Sequence, residues 1–151
     1  MIKLGISVLV ATLLPLCACA QPVDEEVKSP LEVAQALLAA YNAGDLEGVA
    51  NLYAESAALY ILPATDPVYE GRAAIRSAYA DQLENNCLST MRRACPDLHG
   101  TISSWQVLDR WVSTVEHVTL ENGVPPLTYM LTYEVVDGQI QSAWFMVDSP
   151  R

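Results

Sequence analysis

A chain of 151 residues with 18 acidic and 8 basic side chains carries a formal net charge of −10. Such a surface repels nucleic acid and anionic membrane faces, so neither is an expected partner. The length suits one domain with one core, and no internal repeat or low-complexity tract divides it.

Residues 1–20 read as a secretory signal peptide. Lys3 supplies a minimal positive start, Leu4 to Leu16 is an apolar run short for a membrane span, and small residues follow. Two processing readings stay open. Ala18, Cys19 and Ala20 fit the small-x-small rule of signal peptidase, releasing a chain that begins at Gln21. Leu16, Cys17, Ala18 and Cys19 resemble a lipobox, in which Cys19 carries the lipid. Either reading exports the protein, to the periplasm or to a bacterial membrane that it touches only through a lipid anchor. Residues 21–29, acidic and holding Pro22, then serve as a flexible tether to a single domain over residues 30–151.

Ser29, Pro30, Leu31 and Glu32 form a capping box with proline at the first helical position. Val33, Leu37, Leu38 and Tyr41 follow at helical spacing and predict one buried face. Gly44 ends this helix, and Asp45 caps a second whose Leu46, Val49, Leu52 and Tyr53 are expected to face inward. Ala57 to Leu62 reads as a short strand, and a loop from Pro63 to Pro67 precedes Val68 and Tyr69. From Gly71 a third helix sets Ala74, Ile75, Ala78, Tyr79 and Leu83 against Arg72, Arg76, Asp81 and Glu84, an amphipathic pattern.

Cys87 and Cys95 come next. In an exported protein such a pair is expected to form a disulfide, worth about 2–3 kcal/mol on the chain-entropy account. His99 is the only imidazole nearby, so a tetrahedral metal set is incomplete, and neither a metal nor another cofactor is expected. Four strand-like runs complete the chain: Thr101 to Leu108, Trp111 to Glu121, Leu127 to Val136 and Gln139 to Asp148. The turns between them fall at Asp109-Arg110, Asn122-Gly123 and Asp137-Gly138, and the last two are strong hairpin signals. The expected fold is α+β, with three N-terminal helices packed on a curved antiparallel sheet that forms a cone with an internal pocket.

The segments NAGDLEGVANLYAESA (42–57) and EGRAAIRSAY (70–79) carry a resemblance to a known family. In their order they resemble the cone fold shared by nuclear transport factor 2, ketosteroid isomerase and SnoaL-type polyketide cyclases. The pattern is most similar to the isomerases, from Leu31 to about Leu83. Carried over by position, the isomerase tyrosine donor falls on Leu37, its aspartate base on Ile61 and its protonated aspartate on or beside Leu131. None of these side chains exchanges a proton, so the isomerase mechanism is not expected here.

Other residues are candidates for a site. One face of the strand from Trp111 carries Val112, Thr114, Glu116 and Val118. Glu116 is the odd acid there, and burial would raise its pKa and fit it for proton transfer. The opposite face carries Trp111, Val115 and His117; were that face inward, His117 would be the candidate, as in relatives resembling scytalone dehydratase. Tyr129, Leu131 and Tyr133 share a face of their strand, while Trp144 and Phe145 point to opposite sides of theirs. A pocket of Tyr53, Tyr60, Glu116, Tyr129, Leu131, Tyr133 and Phe145 would be mostly apolar with a few hydroxyls. That set favours binding of a small apolar or amphipathic molecule. Two alternatives stand beside it: an isomerase, dehydratase or cyclase-type enzyme using Glu116 or His117, and a non-catalytic module that dimerises through its sheet.

Overall fold

A computed structural model describes residues 27–84, 99–119 and 127–148. The expected signal peptide, Cys19, most of the expected tether, the expected Cys87–Cys95 pairing and the Asn122-Gly123 turn lie outside these described residues.

Helix α1 (Pro30–Asn42) begins as its sequence dictates. The Ser29 backbone N–H donates to Glu32 Oε2 at 2.8 Å, and the Glu32 N–H donates back to Ser29 Oγ at 3.4 Å. Gly44 then takes φ 67°, a left-handed conformation that glycine adopts without strain. This turn brings Asp45 to the start of α2 (Leu46–Asn51), where Oδ1 accepts from the Gly48 N–H at 2.8 Å. A Cβ on Gly48 would crowd the Asp45 carboxylate, so the glycine lets the cap keep this rotamer.

The second helix is shorter than its apolar spacing suggests. Tyr53 opens strand β1 (Tyr53–Ile61) instead of closing α2, because it pairs with Ile140 and the Ile140 N–H donates to the Leu52 carbonyl at 2.8 Å. Sheet pairing here prevails over local helical periodicity. The remaining elements are β2 (Tyr69–Glu70), α3 (Arg72–Glu84), β3 (His99–Leu108), β4 (Trp111–Thr119), β5 (Leu127–Val136) and β6 (Gln139–Asp148).

They form a six-stranded sheet in the order β2-β1-β6-β5-β4-β3. Strands β3 to β6 make the expected antiparallel meander, with Asp137 and Gly138 both at positive φ in the last turn. One pair departs from the all-antiparallel expectation: β1 runs parallel to β6, making the sheet mixed. Parallel neighbours need a long crossover, and here α3 together with β3, β4 and β5 supplies it. Register breaks at Tyr53/Ala58 in β1 and at Ile102/Ser104 in β3 bend the sheet towards the helices.

The core lies between the helices and the inner sheet face. Val33 and Leu37 of α1, Val49 of α2 and Ile75 and Tyr79 of α3 meet Tyr53, Leu59, Val112, Leu131, Tyr133 and Ile140 of the sheet. Asn42 ties the end of α1 to β3 through two hydrogen bonds. Its Nδ2 donates to the Gly100 carbonyl, and its Oδ1 accepts from the Gly100 N–H, both at 2.8 Å. Arg72 fastens α3 to β1, donating to the Tyr53 carbonyl at 2.7 Å and pairing with Glu55 at 2.6 Å.

Candidate ligand-binding site

Between α1, α3 and the inner faces of β4, β5 and β6 lies a cavity of about 100 Å³, open to solvent on one side. Alternation along β4 decides what enters it. Val112, Thr114, Glu116 and Val118 are buried on the inner face, whereas Trp111, Ser113, Val115 and His117 turn outward. On β5, Tyr129, Leu131 and Tyr133 stand directly across from Glu116, Thr114 and Val112. Phe145 of β6 sits beside Leu131. The helices add Leu37, Leu38 and Tyr41 from α1, and Tyr79 and Gln82 from α3.

Glu116 is the carboxylate among the described residues of this wall, and it is only 7% exposed. Burial pushes its pKa above the ordinary carboxylate value, and a 2.9 Å hydrogen bond from Thr114 Oγ1 partly opposes that rise. No lysine or arginine lines the cavity among the described residues. Aromatic rings supply most of the remaining wall. Tyr41 and Tyr79 meet edge to face at 6.2 Å and 71°, and Tyr133 and Phe145 do so at 6.4 Å and 88°. Tyr53 lies fully buried behind Tyr79, their hydroxyls 3.0 Å apart. Burial holds the phenols of Tyr53, Tyr79 and Tyr133 well above their ordinary pKa and raises that of Tyr129, so all four stay neutral donors near neutral pH.

Five of the residues expected in the pocket therefore come together: Glu116, Tyr129, Leu131, Tyr133 and Phe145. Tyr53 supports the pocket from behind instead of lining it. Tyr60 is on the other side of the sheet, where it stacks on Trp144 at 5.2 Å and 6°. Its neighbours Leu59 and Ile61 pair with Ala143 and Phe145, which leaves Tyr60 on the outer face. His117 also faces outward, its Nδ1 3.1 Å from Thr128 Oγ1, and so cannot act on a pocket ligand. Leu37, Leu38, Val118, Tyr41, Tyr79 and Gln82 were missing from the expected set. Helical spacing assigns the two tyrosines to buried faces but says nothing of a cavity between those faces.

The positions that correspond to isomerase chemistry are apolar where they matter. Leu37 and Leu131 line the cavity from opposite walls, and Ile61 is 41% exposed at the end of β1. Among the described residues, no three histidine, cysteine, aspartate or glutamate side chains converge as a metal site would require.

Helices over the concave face of a bent sheet, with a one-sided pocket between them, define a cone-shaped domain of the nuclear transport factor 2-like class. More narrowly, the chain belongs to the SnoaL-like domain family, whose pattern matches residues 34–143. Three solved structures share the fold. An uncharacterized protein from Novosphingobium aromaticivorans is 27% identical, with a TM-score of 0.63 over 78% of this chain and 97% of that one. IdmH of Streptomyces antibioticus, a proposed polyketide cyclase, is 21% identical, with a TM-score of 0.63 over 80% and 93%. A proposed ketosteroid isomerase from Kribbella flavida is 18% identical, with a TM-score of 0.62 over 79% and 77%. No protein of curated function matches the sequence.

Proposed function

We propose that this protein binds a small apolar or amphipathic molecule in its cone pocket, with Glu116 as the polar anchor. The observation that carries this reading is a single buried carboxyl in a wall of aliphatic side chains and aromatic rings, with Gln82 as the one amide among the described lining residues. A pocket of this composition gains affinity from apolar contact and orientation from its few polar groups. Its size limits the buried part of the ligand to about one ring, since cavities of roughly 150 Å³ hold benzene. NMR titration of the methyl-labelled protein with phenol and cyclohexanol tests this. Shifts confined to Leu37, Leu38 and Leu131 support it, and undisturbed methyls at millimolar ligand would overturn it.

A second reading makes the protein an isomerase, dehydratase or cyclase-type enzyme in which Glu116 moves the proton. The raised pKa of a carboxyl inside a ligand-sized cavity favours it. Any activity found in a screen should then be lost in Glu116→Gln. An activity that survives the change rules this role out. His117, facing away, has no part in either reading.

Two further proposals concern surroundings rather than chemistry. The leader supports export, with lipid on Cys19, and fatty-acid labelling of wild type against Cys19→Ser tests that anchor. The outer sheet face supports a homodimer, because Met130 and Met146, paired across β5 and β6, are 51% and 45% exposed.

A further inference from the structure

We infer that the pocket's ligand is an organic cation, an amine or quaternary ammonium headgroup held between the tyrosine walls with its charge against Glu116. This inference rests on the reading of the cavity as a binding site and adds the charge of the occupant.

Three observations converge on it. The first is an acid without a positive partner among the described residues. Glu116 is buried with a neutral hydroxyl, Thr114, as its hydrogen-bond partner. The arginines with described ion pairs are engaged elsewhere: Arg72 with Glu55, Arg76 with Glu47 and Arg110 with Glu134. A buried carboxylate is costly without a positive partner, and the ligand is the group that can supply one.

The second is the arrangement of the rings. Tyr41 and Tyr79 on the helical wall, and Tyr133 and Phe145 on the sheet wall, form two edge-to-face pairs on opposite sides of one small cavity. Five aromatic rings, Tyr41, Tyr79, Tyr129, Tyr133 and Phe145, border the cavity from both walls, and a cation that meets the face of such a ring is attracted by its quadrupole. An anionic ligand would meet those faces and Glu116 with repulsion from both.

The third is the field of the whole chain. A net charge of −10 raises the local concentration of cations and lowers that of anions around the protein. The cavity volume of about 100 Å³ suits a headgroup no larger than a benzene ring, with the rest of the molecule leaving through the open side.

Calorimetric titration of the protein with choline and with its uncharged isostere 3,3-dimethyl-1-butanol tests the inference, because the two differ in charge and hardly in shape. Choline should bind at least about tenfold more tightly. Equal binding would overturn the cation and leave the apolar pocket standing. Binding of neither would also overturn it, while the phenol and cyclohexanol titration judges the pocket separately. In Glu116→Gln, checked for a single cooperative melting transition, choline should lose about tenfold in affinity and the isostere should change little. A variant that keeps wild-type choline affinity would show that Glu116 does not carry the charge recognition. Should that variant not fold, the comparison of the two ligands on the wild type decides alone.

Discussion

The two faces of the sheet are built from the same strands and are both rich in aromatic side chains, yet only one encloses a cavity. Inside are Tyr129, Tyr133 and Phe145 with Glu116 among them; outside are Tyr60, Trp111 and Trp144 with Met130 and His117. The difference lies in what covers them. Helices α1 and α3 close the inner face into a cavity, while on the outer face Trp144 stacks flat on Tyr60 and meets Trp111 at a tilt of 39°. Aromatic content therefore does not tell the two faces apart. An acid that the helices have removed from water does.

The contrast is broken most directly by truncating one ring on each face. Tyr133 is 2% exposed in the core, so Tyr133→Ala should cost about 3–5 kcal/mol. Trp144 is half-buried and outward, and Trp144→Ala should cost nearer ~1 kcal/mol despite its larger side chain. Urea unfolding of both variants measures the difference. Equal costs would mean that the outer face is buried in solution, and hence that a partner covers it.

The cover itself rests on a few polar ties. Asn42 joins α1 to β3 by its paired bonds to Gly100, and the alanine variant leaves both backbone groups without that partner. Asn42→Ala should destabilise by about 1–3 kcal/mol. It should also speed hydrogen exchange in α1 more than in β1 or β6. Uniform acceleration would show that Asn42 adds stability without holding the cover.

Glu116 sharpens the comparison through pH. The groups facing it are neutral: Thr114 on its own strand, Tyr129 and Tyr133 on β5, Tyr79 on α3, and Tyr53 behind. Below the ordinary 4.5 its carboxyl is protonated in both the folded and the unfolded chain. Above that value the unfolded chain releases the proton first while the folded chain keeps it. The folded state then binds more protons, so this group lowers stability as pH rises, until its raised folded pKa is passed. Glu116→Gln removes the effect, so the variant should gain on wild type across that window by about 1.4 kcal/mol per unit of displacement. Melting curves from pH 4 to 8 read it. A constant difference would mean that the carboxyl is solvated and the pocket wetter than its lining implies.

Much of this architecture was legible in the residues. Ser29 and Glu32 announce α1, Gly44 and Asp45 the turn into α2, and Asp137-Gly138 the last hairpin, because each is a local backbone requirement. The parallel β1–β6 pair was not, since it joins residues more than half a chain length apart, Tyr53 with Ile140, and no local signal encodes it. Alternation along β4 separated Glu116 from His117 but could not say which was inside; the helices settle that from the other wall. Tyr60 was misplaced for the same reason. A strand's period of two fixes which residues share a face, and only the layer packed on it makes that face interior.

The smallest expected effect on stability lies on the outer face, and it is the one that asks whether that face is free. In a monomer, replacing an exposed methionine changes stability by no more than about 0.5 kcal/mol, so Met130→Lys should melt like wild type. A second copy seated on the sheet changes this expectation. Dimerisation would make the wild-type melting temperature rise with protein concentration, because association stabilises only the folded chain. Across a symmetric interface, Met130→Lys would place a charge from each copy into one apolar contact. The concentration dependence would then vanish, and sedimentation would show monomers. If wild type sediments as a monomer at every concentration, Met130 and Met146 are simply exposed, and the outer face holds no partner in solution. The inner face would then be the only part of this sheet with a recognition role left to test.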